Sequence, residues 1–154
     1  MSGAPPRRAP AFSRRLASGV YELLLLTALT FVAIMPFLAV LGDSTLGWKR
    51  HALQLWIVLV CGTYFVSFWT RGGQTLPMKT WHLRIVRADG ASVGVARAIH
   101  RYVIAVLGFA AAGLGFLWAL VDRDGQFLHD RLSGTAIVDA RGDAAEDGQR
   151  LSAR

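Results

Sequence analysis

One stretch constrains this chain more than any other. From Leu23 to Leu41 nineteen residues pass without a charge. At about 1.5 Å per helical residue, such a run nearly spans a ~30 Å hydrocarbon core. Arg14 and Arg15 precede it, and a single carboxylate, Glu22, stands just inside it. Glu22 follows Arg15 by seven residues, so both lie on one helix face, two turns and roughly 10 Å apart. An acid at that depth is expensive, and intramembrane acids face a protein interior or a water-filled path. The segment reads as a membrane helix carrying a functional group.

Composition agrees. Of 154 residues 53% are hydrophobic, and the mean hydropathy is +0.39, high for a soluble domain whose surface must be polar. The length suits one domain. A net charge of +7 would suggest nucleic acid in a soluble protein. Here the basic residues flank apolar segments, which favours anionic lipid headgroups as the partner and argues against nucleic acid. Cys61 is the one cysteine, so an intrachain disulfide and a cysteine zinc site are both excluded. The first apolar run exceeds the length of a signal-peptide core, and no A-x-A site follows Leu41, so the segment is expected to stay as a membrane anchor.

In chain order, residues 1–11 are rich in proline and arginine and read as a disordered basic tail. A folded membrane domain follows over 12–139, and a charged, disordered tail over 140–154. The first helix is expected over 12–41 and a second span over 52–69, joined by a short loop as an antiparallel hairpin. The stretch 70–101 is polar, with Arg71, Lys79, Arg84, Arg87, Arg97 and Arg101 against Asp89 alone. Within it, residues 81–86 alternate in the strand manner, and Asp89-Gly90 reads as a turn. Ser92 is a plausible N-cap for the next helix. Residues 136–138 form a second short strand candidate. The expectation is an all-α integral membrane protein of about three transmembrane helices, with a short polar, β-like element between the second and third.

The third span, expected over 102–121, carries a packing pattern. Ala105, Gly108, Ala112, Gly115 and Ala119 recur at spacings of three and four, which puts small residues on one helix face. Small residues let membrane helices approach closely, so a homo-oligomer or another membrane protein is the expected partner.

Three stretches together resemble the RDD family of small bacterial membrane proteins, named for one arginine and two aspartates. The first is Phe12-Ser13-Arg14-Arg15-Leu16-Ala17 leading to Glu22. The second is Gly73-Gln74-Thr75-Leu76-Pro77-Met78-Lys79 with Leu83-Arg84-Ile85-Val86 and Asp89-Gly90. The third is His129-Asp130-Arg131-Leu132-Ser133-Gly134-Thr135. The resemblance implies that Arg15 is the family's arginine, Glu22 stands at the first aspartate, and Asp130 is the second. Glu22 departs from the pattern by one methylene, which keeps a titratable acid but changes its reach. The resemblance also implies a bacterial plasma-membrane location and, at most, movement of ions or small ligands.

No catalytic motif is present: there is no HExxH, phosphate-cradling glycine loop or nucleophile elbow, and no cofactor is implied. His129-Asp130 alone does not make a metal site. The proton- or cation-binding candidates are Glu22, Arg15, Arg101 and Asp130. Arg15 leans toward the headgroups, away from Glu22. Arg101 could reach Glu22 from the third span, as a bridge that merely orients helices. The functional readings are a small oligomeric transporter or proton/cation exchanger, a scaffold or accessory subunit without flux, and, distantly, a lipid-modifying enzyme. The amino tail has four arginines, the second loop six basic residues and the first loop two. The positive-inside rule then places the N-terminus and residues 70–101 in the cytoplasm, and three crossings would leave the C-terminus outside. The alternative is a re-entrant third segment turning near Gly113-Leu114-Gly115.

Overall fold

A computed structural model describes residues 10–42, 46–111 and 127–141. Two long helices, α1 (Phe12–Leu41) and α2 (Trp48–Gly72), come first. Both are long and apolar enough to cross a membrane, and few of their side chains are buried. Val32 and Met35 are about 70% exposed, at 70% and 69%. A helix in the core of a soluble protein would bury such side chains, because apolar area left in water forfeits about 25 cal/mol per Å². These helices are built for a lipid solvent.

Side-chain bonds fix the direction of the pair at successive levels. Lys49 Nζ donates to Leu41 O at 2.6 Å, Trp56 Nε1 to Ala33 O at 2.9 Å, and the Tyr64 hydroxyl to Glu22 Oε1 at 2.8 Å. As the α2 number rises its α1 partner falls, so the helices are antiparallel. The start of α1 and the end of α2 therefore share one end of the pair.

The polar part of the chain gathers at that end. Helix α3 (Leu76–Thr80) is capped by the Thr75 hydroxyl, which accepts from Met78 N, and Pro77 sits in its first turn where a missing N–H costs nothing. Strand β1 (Leu83–Arg87) follows, then α4 (Val95–Ala110), a short helix α5 (Leu128–Ser133) and β2 (Thr135–Asp139). The strands pair antiparallel, with Leu83 opposite Asp139 and Arg87 opposite Thr135. A two-stranded sheet is marginal alone. This one is covered by a core of Trp69, Met78, Leu83, Ile85, Val93 and Ala98, with Phe65, Tyr102 and Ile137 against it.

Helix α4 leaves the sheet and climbs along α2. Ala98 packs with Trp69, while the Tyr102 ring lies against Gly62 and its hydroxyl donates to Val58 O at 2.7 Å. The N-cap is Gly94, with no side-chain bond, rather than Ser92. Within the described residues α4 ends at Ala110, with Ala111 as its C-cap. Of the small-residue pattern, Ala105 and Gly108 lie on α4. Ala112, Gly115, Ala119 and the turn expected near 113–115 lie outside the described residues, as do most of both tails.

The sheet bears on the expected topology. Because β1 and β2 are paired, residues 83–87 and 135–139 lie on one side. The stretch from Val95 to Phe127 therefore starts and finishes at the same end of the α1–α2 pair. Of the third span expected over 102–121, residues 112–121 lie outside the described residues.

Candidate functional site

The first polar cluster forms where α1, α2 and α3 meet. Glu22, half-buried on α1, accepts one hydrogen bond on each carboxylate oxygen. The Tyr64 hydroxyl reaches Oε1 at 2.8 Å, and the Thr75 hydroxyl reaches Oε2 at 2.5 Å. Thr75 is fully buried, held by its place at the head of α3. An ionised carboxylate offers about four acceptor sites. The two hydroxyls use one on each oxygen and leave further lone pairs, on the carboxylate and on the hydroxyls themselves.

The expected bridge from Glu22 to Arg101 is not formed. Arg101, 2% exposed on α4, instead pairs through Nη1 with Oδ1 of Asp130, which is 1% exposed at the start of α5. The same guanidinium also donates to the Thr135 hydroxyl and lies 5.0 Å from the centre of the Trp69 ring. Two opposite charges this deep are tolerable only as a pair, because either alone would lack both solvent and counter-charge. The physical reason for the re-pairing lies in position. Arg101 starts the climb of α4 at the level of Trp69, beside the sheet, where the third family motif folds back against it.

The surrounding residues complete this second cluster. Asp130 Oδ2 accepts from Phe127 N at 3.4 Å, so the acid also caps its own helix. The Ser133 hydroxyl donates to His129 O at 2.5 Å and lies 2.8 Å from the Thr135 hydroxyl. His129 Nε2 is 3.8 Å from Asp130 Oδ1, and its ring stacks on Phe127 with centroids 5.4 Å apart. Burial pushes the His129 pKa down to about 4, helped by the nearby Arg101 charge and opposed by Asp130. The ring is therefore neutral at pH 7, and the cluster carries one cation and one anion. Gly134 ends α5 in the left-handed region at φ 61°, where its carbonyl accepts from Arg97 Nη1 at 3.3 Å.

The remaining motif residues fasten this assembly together. Gly73 caps α2 at φ 69°, and Gln74 Nε2 donates to Leu83 O at 2.7 Å. Arg15 is half-buried, with its guanidinium 6.0 Å from the Phe12 ring centre. Its neighbour Arg14 does the long-range work. Arg14 binds the Asp139 carboxylate and the carbonyl of Trp81, tying the start of α1 to the last residue of β2. That contact holds the Asp139 carboxyl below the usual carboxylate range.

Of the expected proton- or cation-binding candidates, the structure brings Arg101 and Asp130 together, sets Glu22 with Tyr64 and the motif residue Thr75, and leaves Arg15 beside Phe12. Sequence reasoning did not single out Tyr64 or Trp69 as partners, nor the separate Arg14–Asp139 pair. A hydroxyl or arginine gives no local signal of being a partner; the rule that a deep carboxylate needs donors says that some exist but does not single out Tyr64.

The profile of the RDD family matches residues 9–134, which takes in the first cluster and all of the second except Thr135. No curated protein and no solved structure matches the chain.

Proposed function

Because the chain belongs to the RDD family, we propose that it is an integral membrane protein that binds a proton or a monovalent cation at Glu22, as one copy of a small oligomeric transporter or exchanger. The observation that supports this reading is the oxygen cluster of Glu22, Tyr64 and Thr75 at the junction of α1, α2 and α3. It combines one acid with two hydroxyls, a donor set suited to hard cations and to proton exchange. By contrast the Arg101–Asp130 pair is closed on itself, so it serves the frame rather than the exchange. Two spans and α4 enclose little space alone, which is why an oligomer belongs to the proposal.

The test is flux of protons and alkali cations through purified protein in liposomes. Glu22→Gln keeps the shape and removes the titration. The expected result is normal insertion and assembly with pH-dependent flux abolished. Normal flux in a stable, assembled Glu22→Gln protein would sink the reading. The second reading is a scaffold or accessory subunit without flux. It is favoured by the double use of Thr75, whose hydroxyl also accepts from Met78 N at 3.4 Å. There the wild type shows no flux and Glu22→Gln lowers stability, because the half-buried Tyr64 and buried Thr75 hydroxyls lose a charged acceptor.

The location that goes with this proposal is the bacterial plasma membrane with the N-terminus in the cytoplasm. The basic residues Arg71, Lys79, Arg84, Arg87 and Arg97 all stand at the sheet end of the α1–α2 pair, which the positive-inside rule assigns to the cytoplasm. The pairing of β1 with β2 then puts the C-terminal strand there too. Reporter fusions at Gly90 and at Arg141 should both give a cytoplasmic signal. A signal of opposite sidedness from Arg141 would overturn the assignment.

A further inference from the structure

A cleft of about 320 Å³ opens between the end of α2, strand β1 and the loop that leads into α4. Arg71 and Arg84 line it together with Thr70 and Ser92, and with the apolar residues Ile85, Val86 and Val93. None of the residues lining it is acidic. The nearest acid along the chain, Asp89, lies outside the lining and is paired with Arg87 at 2.7 Å.

The end of α2 would ordinarily repel an anion, because free carbonyls carry the negative end of the helix dipole. Here that end is covered. Gly73 N donates to Trp69 O at 3.1 Å, and Arg84 Nε donates to Gly72 O at 3.2 Å. The second bond also fixes Arg84 at the cleft wall, so less side-chain freedom is lost when an anion arrives. Arg71 is exposed in the last turn of α2, at the level where a membrane helix meets the headgroups.

We propose that this cleft is a binding site for a phosphate-bearing anion, with Arg71 and Arg84 as its ligands. Planar guanidinium groups match phosphate oxygens through charge-assisted bonds, and the apolar lining residues suit the organic part of the molecule. The same chemistry is offered by an anionic lipid headgroup and by a soluble phosphate. The site is independent of the reading of Glu22.

The test uses the full chain purified in detergent. In one arm, native mass spectrometry measures retention of phosphatidylglycerol over phosphatidylcholine. In the other, calorimetry titrates inorganic phosphate into lipid-free protein. Arg71→Gln should lower the response roughly tenfold, the scale of losing one charged hydrogen bond. Lys79→Gln removes the same charge from α3, outside the cleft, and should leave the response unchanged. Arg71→Gln changes an exposed side chain, so folding is retained, and Arg71→Lys should recover only part of the binding. A loss confined to the lipid arm identifies a headgroup as occupant; a loss confined to the phosphate arm identifies a soluble phosphate. The proposal is overturned if Arg71→Gln changes neither arm, or if Lys79→Gln weakens binding as much, which would mean general attraction to a basic surface.

Discussion

Asp130→Asn should lower the stability of the folded protein by about 3–5 kcal/mol, the cost of leaving a buried charge without its partner. Arg101 is 2% exposed and lies against Trp69, so it cannot turn to solvent to recover the loss. The replacement also weakens the cap on Phe127 N, which adds to the same sign. The reverse change, Arg101→Met, should cost a similar amount by stranding Asp130. The pair of changes Arg101→Met with Asp130→Leu should recover most of it, because an apolar pair of similar volume has no desolvation to offset. Thr135 keeps its contact with Ser133 in that variant. Denaturation in detergent, followed by tryptophan fluorescence, measures all of these. If the double variant is as unstable as the worse single one, the ion pair is not the source of the effect.

The same cluster sets the acid limit of the fold. His129 has a folded pKa lowered to about 4 from an ordinary 6.5. The unfolded chain therefore takes up the proton first, and its stabilising effect is fully present only above about pH 6.5. As pH falls from there toward 4, the folding constant should drop by up to tenfold per pH unit. His129→Gln should flatten that slope.

Gly73→Ala should be the most damaging small substitution in the chain, while Gly72→Ala beside it should be tolerated. Gly73 sits at φ 69°, where an L side chain is strained, and its added Cβ would lie 2.5 Å from Ile85 O. That contact is with backbone, and Gly73 O already accepts from Ile85 N at 2.7 Å, so neither strand nor helix end can retreat cheaply. The left-handed conformation alone costs on the order of 1–3 kcal/mol, and the clash adds to it. Gly72 ends α2 in ordinary helical geometry with nothing within 4 Å of an added Cβ. Its replacement should be neutral or stabilise by up to about 0.5–1 kcal/mol, from reduced freedom of the unfolded chain. Thermal denaturation of the two variants side by side reads the difference. Equal behaviour would mean that the turn between α2 and α3 is not held as described.

The two long helices were legible because an apolar run is a local property. Leu23–Leu41 needs only its own length and lack of charge to read as a candidate membrane span. Alternation suggests a strand over residues 81–86, whereas β1 occupies Leu83–Arg87, with Ile85 and Val86 both buried. Positions could be read; partners could not. Glu22 was visible as an acid out of place, but its donors come from Tyr64 and Thr75, 42 and 53 residues away. Arg101 and Glu22 looked like a natural pair along the chain. Tertiary packing gave Arg101 to Asp130 instead, because α5 and β2 fold back onto the start of α4. Arg14, indistinguishable from Arg15 in the sequence, finds Asp139 across 125 residues. The placing of the last strand beside Leu83–Arg87 was decided in the same way, by the hydrogen bonds between β1 and β2. Hydrophobicity and periodicity are carried by each segment alone, whereas a buried charge takes whichever counter-charge the packed chain brings within reach, and only the folded arrangement contains that distance.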